Sequence, residues 1–122
     1  MICPKCEFEM EKVGYKDITV DRCSQCQGIW FDVMEHELLK SMKGSESIDT
    51  GDPEHGRIMN VIVKYNCPTC HKSMDPMFEE KKPDLIFEGC GECYGIFFDA
   101  GEFTEYKRES ILDFIKNIFT KE

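Results

Sequence analysis

Apolar and polar positions along this chain alternate in short bursts separated by turns that carry glycine or charged residues. Positions 10–13 and 18–22 read as two strands around a turn at 14–17, and 28–31 reads as a third. The order then recurs. Positions 74–78, 85–88 and 95–98 give three more strands, with Glu79-Glu-Lys-Lys82 as a charged hairpin loop. After each third strand the period changes to that of a helix. Asp32 stands three residues before Glu35, and Asp99 three before Glu102. In that pattern the first side chain accepts from the opening amides of a helix and the second reaches back to cap it. A helix is therefore predicted over 33–42, stopping at Gly44, and a second one after Asp99. The second is predicted to be longer, because Phe103, Ile111, Leu112, Phe114, Ile115, Ile118 and Phe119 gather over roughly half of its circumference.

Between the two halves the residues are polar and rich in glycine, which predicts a flexible linker over 44–57. Positions 58–65 are rich in β-branched side chains and read as a strand leading into Cys67. The expected organisation is a ribbon with a short helix over 1–43, the linker, and a second ribbon with a leading strand and a long amphipathic helix over 58–122.

The cysteines sharpen this picture. All eight stand in Cys-x-x-Cys pairs: Cys3/Cys6 with Cys23/Cys26, then Cys67/Cys70 with Cys90/Cys93. Two thiolates on one tight turn can hold a tetrahedral ion, and a second such turn completes a closed four-sulfur shell. The run Cys23-Ser-Gln-Cys-Gln-Gly-Ile-Trp-Phe-Asp-Val-Met-Glu35 aligns with Cys90-Gly-Glu-Cys-Tyr-Gly-Ile-Phe-Phe-Asp-Ala-Gly-Glu102 at seven identical positions of thirteen. Met10 and Met74 each follow their second cysteine by four residues, and only the spacers differ, at 16 and 19 residues. One small unit is used twice. The fold class expected is a small metal-stabilised α+β protein of two tandem zinc ribbons with short antiparallel sheets. Each repeat spans roughly 37 residues, below the size at which apolar burial alone holds a fold. Two zinc ions, one per four-cysteine site, supply what is missing.

Composition narrows the function classes. A disulfide scaffold is the other use of eight cysteines, and it belongs to secreted proteins. The first ligand lies at position 3, where a signal peptide would stand, and no apolar run reaches the length of a membrane span. A reducing cytoplasm is the expected setting. The formal charge is -9, and each four-thiolate zinc adds -2, taking it to about -13. Such a field repels phosphate, so nucleic acid is not an expected partner. Four sulfurs leave the metal no open position, which speaks against hydrolysis and for a protein that is not an enzyme. Sulfur ligation alone does not separate zinc from iron in a rubredoxin-like centre, and a redox role stays open on these residues.

The remaining motifs read as structural. His36, His55 and His71 are expected to be solvated, because both shells are full without them. Trp30, Phe31, Phe97 and Phe98 are expected as small apolar cores beside the metals. Gly28 and Gly95 each follow a knuckle by two residues, where the turning backbone is expected to need positive φ. The apolar C-terminal stripe predicts a contact with an unidentified protein partner, a homodimer being the first case and packing back onto the first ribbon of the same chain the alternative. Glu105, Glu109 and Asp113 dilute the basic residues of its polar side and weaken attraction to lipid.

Cys-Pro-x-Cys, a spacer, then Cys-x-x-Cys-x-Gly-Ile-Trp-Phe-Asp-x-x-Glu resembles the bacterial zinc-ribbon family named for its similarity to the zinc-binding domain of transcription factor IIB. The resemblance covers 2–39 and recurs over 66–106, through the cysteines, Gly28/Gly95, Asp32/Asp99 and Glu35/Glu102. It departs at Phe97, where that family carries tryptophan, and at His71, where a small residue is usual. It implies a zinc-ribbon fold and metal binding. A role in nucleic-acid or transcription-associated work is the alternative that the family's name brings.

Overall fold

The computed structural model of the chain describes residues 1–108. Strands β1 (Met10–Tyr15) and β2 (Ile18–Cys23) form the first hairpin, followed by β3 (Ile29–Phe31) and helix α1 (Glu35–Lys40). A 3-10 turn (Ser45–Ile48) and helix α2 (Pro53–Met59) come next. The second half repeats the first, with β4 (Asp75–Glu79), β5 (Lys82–Gly89), β6 (Ile96–Phe98) and helix α3 (Glu102–Lys107). These six strands join in one antiparallel sheet of order β1-β2-β3-β6-β5-β4.

The junction is the central β3·β6 pair, with Ile29 opposite Phe98, Trp30 opposite Phe97 and Phe31 opposite Ile96. In the repeat alignment Trp30 corresponds to Phe97 and Ile29 to Ile96. Each half therefore pairs with its own copy about a two-fold axis at Trp30 and Phe97. Side chains alternate across a strand, so this sheet buries two cores. Trp30, Phe97, Met10, Met74, Tyr65 and the cysteines pack on one face. Ile29, Phe31, Ile96, Phe98, Val20 and Phe87 pack on the other, under Leu39, Ile48, Phe103 and Tyr106.

Several expectations need correction. Residues 44–57 are folded onto both halves: Ser45 and Ile48 are buried, and α2 rides so close on the Ala100–Gly101 turn that Gly56 has no room for a Cβ. Asp52 caps α2 by accepting from the Glu54 amide at 3.0 Å, and Pro53 supplies a preset φ at its first turn. That start signal overrides the β-branched run after it. Ile58 and Met59 end α2 instead of opening a strand, and only an isolated bridge, Asn66 to Ser73, precedes the second ribbon.

The capping motifs are half realised. Glu35 accepts from the Asp32 amide at 2.9 Å and Glu102 from the Asp99 amide at 2.7 Å. The two aspartates do not cap. Met34 and Gly101 hold the N-cap positions in the left-handed region, and α3 is capped from outside by Asp49, which accepts from the Gly101 and Thr104 amides at 2.9 and 3.0 Å. Helix α1 is shorter than 33–42, and α3 spans six residues, ending where Arg108 turns extended. The predicted continuation through Ile111, Leu112, Phe114, Ile115, Ile118 and Phe119 lies outside the described residues. Among the described residues no helix is long and apolar enough to cross a membrane.

Candidate metal centres

Four knuckles of one design place the cysteines. In each, the residue after the second cysteine takes positive φ: Glu7 at 65°, Gln27 at 64°, His71 at 62° and Tyr94 at 63°. Its amide closes the turn on the carbonyl of the first cysteine, at 3.0, 3.2, 2.9 and 2.9 Å respectively. This reversal aims both thiols of a knuckle the same way. It also corrects the role of Gly28 and Gly95, which do not take positive φ. A Cβ on Gly28 would overlap the Phe97 ring, and one on Gly95 would overlap Trp30. These glycines let each half's aromatic ring lie on the other half's backbone.

The knuckles bring together Cys3, Cys6, Cys23 and Cys26 in one group and Cys67, Cys70, Cys90 and Cys93 in the other, with the sulfurs of each group within 4.8 Å of one another. All eight thiols are free of disulfides. Sulfurs about 2.3 Å from a tetrahedral ion stand roughly 3.8 Å apart. Cys3 to Cys26 and Cys67 to Cys93 are both 3.7 Å, and Cys6 to Cys23 is 3.2 Å. Both groups therefore fit one Zn2+ each, with four sulfur ligands and no position left for water. Amides of Gln25 and Cys26 point at Cys23, those of Thr69 and Cys70 at Cys67, and those of Glu92 and Cys93 at Cys90, all within 3.5 Å. Such donors fix the orientation of the sulfurs that would ligate a metal. The Cys26 thiol, hydrogen-bonded to Cys3, holds that pKa down at about 5, while burial pushes Cys6 up to about 11.

No histidine belongs to either group. His55 and His71 are exposed, whereas His36 is tucked beside the Tyr106 ring at 5.8 Å, and burial lowers its pKa.

A polar cluster that the sequence reading missed lies next to the first centre. The buried Lys5 ammonium pairs with Asp99 at 2.8 Å and Glu88 at 3.4 Å, and it donates to the Met59 carbonyl at 3.1 Å. It also lies over the Tyr65 and Phe97 rings, at 5.1 and 5.7 Å from their centroids. Tyr65 donates to Glu88 at 2.6 Å. Burial raises the pKa of Glu88, pushes Asp99 up to about 6 and Glu102 up to about 9. In the first half the corresponding carboxylates are Asp21, Asp32 and Glu35. There Lys12 pairs with Asp21 at 2.9 Å, and the Trp30 indole donates to Asp32 at 3.1 Å. Phe97 has no such N–H, and Lys5 supplies the donor to Asp99 instead. Thr69, which stands in the second half where Lys5 stands in the first, turns its hydroxyl to Cys67 at 3.2 Å. The departure from tryptophan at 97 is thus matched by a lysine at 5. The signal was a lysine inside a Cys-Pro-x-Cys knuckle facing a phenylalanine in the other repeat.

A family model described as transcription factor zinc-finger matches residues 2–42 and again 66–109. No curated protein and no solved structure gives a match to this chain.

Proposed function

The chain belongs to the transcription factor zinc-finger family, and on that footing we propose that this zinc-binding ribbon protein acts as a non-enzymatic protein-interaction module of the cytoplasm. The observation that carries the reading is the pairing of two closed sulfur shells with an apolar sheet edge. Four sulfurs leave the metal no place for substrate chemistry. Strand β4, at one edge of the sheet, exposes Met77 and Phe78. An edge strand offers unpaired backbone groups to another chain, and apolar side chains beside them add affinity. Eight free thiols committed to metal suit a reducing compartment.

The partner is a protein, a second copy of this chain being the first to test. The formal charge of -9 supports protein over nucleic acid. The test is cross-linked affinity capture with the full zinc-loaded chain and its Phe78→Lys variant. Proteins captured by the wild type and lost from the variant, at an unchanged two zinc ions per chain, support the reading. An identical set for both baits removes the β4 edge from it. Submicromolar, salt-sensitive binding to duplex DNA would replace it with the nucleic-acid alternative, and iron in the purified protein with the redox one.

A further inference from the structure

The internal two-fold relates not only the ribbons but also what covers them, and one of the two covers is missing among the described residues. Residues 48–53 fill a groove beside α3. The Ile48 carbonyl accepts from Arg22 at 2.9 Å, Thr50 donates to Gln27 at 2.9 Å, and Asp49 holds the Gly101 amide. Gly51 backs onto Gln27 and Ala100, and Pro53 lies on Gly101. The groove wall is therefore Arg22, Gln27, Ala100 and Gly101. The repeat alignment converts these into Gly89, Tyr94, Val33 and Met34.

Those four residues line one recess of about 550 Å³, together with Met77 and Ile96. Val33, Met34 and Tyr94 are 51%, 55% and 65% exposed, large values for apolar side chains grouped in a concavity. The same alignment, an offset of 67 residues, converts the filling residues 48–51 into Ile115, Lys116, Asn117 and Ile118. On the wall Gly89 replaces the arginine and Tyr94 the glutamine, and in the filler Ile118 replaces the glycine, so the apolar match falls on Ile115 and Ile118. Asp49 and Thr50 become Lys116 and Asn117, and the contact of Asp49 with the helix amides has no acidic counterpart. The reach is equal too: the chain passes from Lys40, the last residue of α1, to Ile48 in eight residues, and Lys107 precedes Ile115 by eight.

We propose that the recess formed by Val33, Met34, Met77, Tyr94 and Ile96 is the docking site of this chain's own C-terminal segment, anchored by Ile115 and Ile118. The segment would strap the second ribbon to the start of α1, as residues 48–53 strap the first ribbon to the start of α3. The inference goes beyond the interaction role and stands whether or not a partner protein is found.

The test is hydroxyl-radical footprinting of the full zinc-loaded chain against its Ile115→Asp/Ile118→Asp variant. Met34 and Tyr94 are expected to label several-fold less in the wild type, independently of protein concentration, while exposed Phe8 labels equally in both. Equal labelling of Met34 and Tyr94 in the two proteins overturns the proposal. So does protection that grows with concentration alongside a dimer mass in light scattering, which would assign the recess to a second copy. A photoreactive phenylalanine analogue in place of Ile118 gives a reading without the charged variant. Cross-links to Val33, Met34 or Met77 within one chain support the docking, and cross-links elsewhere or between copies sink it.

Discussion

The indole of Trp30 rests directly on the backbone of Gly95, the glycine two residues after the last cysteine of the other ribbon; a Cβ there would stand 2.5 Å from Trp30 Cη2. Phe97 rests on Gly28 in the same way. The second knuckle of each metal centre is thereby roofed by the aromatic residue that the other repeat places at the two-fold axis, and the ribbons are assembled as two halves of one core. Gly95→Ala is expected to cost about 1–3 kcal/mol through overpacking against a fully buried ring. Trp30→Ala, which empties the site, should cost about 3–5 kcal/mol. Denaturant unfolding at fixed zinc loading measures both.

Trp30 is the sole tryptophan and is fully buried, so its emission reports the axis rather than one ribbon. Unfolding followed by this emission and by zinc release from either site should give one coincident transition. Cys23→Ser removes a ligand of the first site only, yet β6 then loses the support of β3. The chelator-driven release of the second zinc should accelerate about tenfold for every 1.4 kcal/mol of support withdrawn. An unchanged release rate at the second site would mean that the ribbons fold independently.

What the sequence disclosed follows from how local each signal is. Both hairpins and the two four-cysteine groups were legible, because a knuckle is written in four adjacent residues and a hairpin in one turn. The pairing of β3 with β6 was not, since a strand that pairs with its own repeat leaves no mark in either copy. Gly28 and Gly95 carried that information, but as contact surfaces rather than as backbone hinges. Helix α2 was legible in Asp52-Pro53 and was outweighed by the β-branched run that follows. Lys5 reads as a surface lysine in a knuckle, and only the fold brings it to Asp99, 94 residues away.

Glu102 makes stability fall as pH rises. Its pKa is pushed up by burial to about 9, above the ordinary value of 4.5 that it regains on unfolding. Between those values the folded chain binds the proton and the unfolded chain does not, so the stabilisation present near pH 4.5 is lost progressively toward pH 9. Below pH 4.5 both states are protonated, so stability no longer varies with pH through this group and the stabilisation is retained in full. Thiolate protonation pulls zinc stability the other way at low pH, so the comparison belongs between pH 6.5 and 8.5. Over that window the wild type should lose stability relative to Glu102→Gln, whose neutral amide keeps an acceptor for the Asp99 amide. Parallel pH profiles for the two proteins would show that Glu102 titrates normally.

Lys5 and Phe97 behave as one exchangeable unit. Removing Lys5 takes from Asp99 its charged partner, leaving it the Asn60 side-chain amide at 3.3 Å, and leaves Glu88 with only the Tyr65 hydroxyl among the partners described above; breaking a buried pair from one side costs about 3–5 kcal/mol. Lys5→Thr, which copies the residue that the other knuckle carries, should therefore be strongly destabilising alone. In the first half Asp32 is exposed to water and also accepts from the Trp30 indole at 3.1 Å, so it needs no lysine, whereas Asp99 is buried. Phe97→Trp adds such a donor across the two-fold axis, where Gly28 already provides the flat backbone that an indole needs. The double variant Lys5→Thr/Phe97→Trp should recover a substantial part of the loss, whereas Phe97→Trp with Lys5 in place should gain nothing, since Asp99 is already paired. A double-mutant cycle on unfolding free energies separates these cases. If the two changes are additive, the lysine and the tryptophan are not substitutes for one another, and the asymmetry between the repeats has another cause.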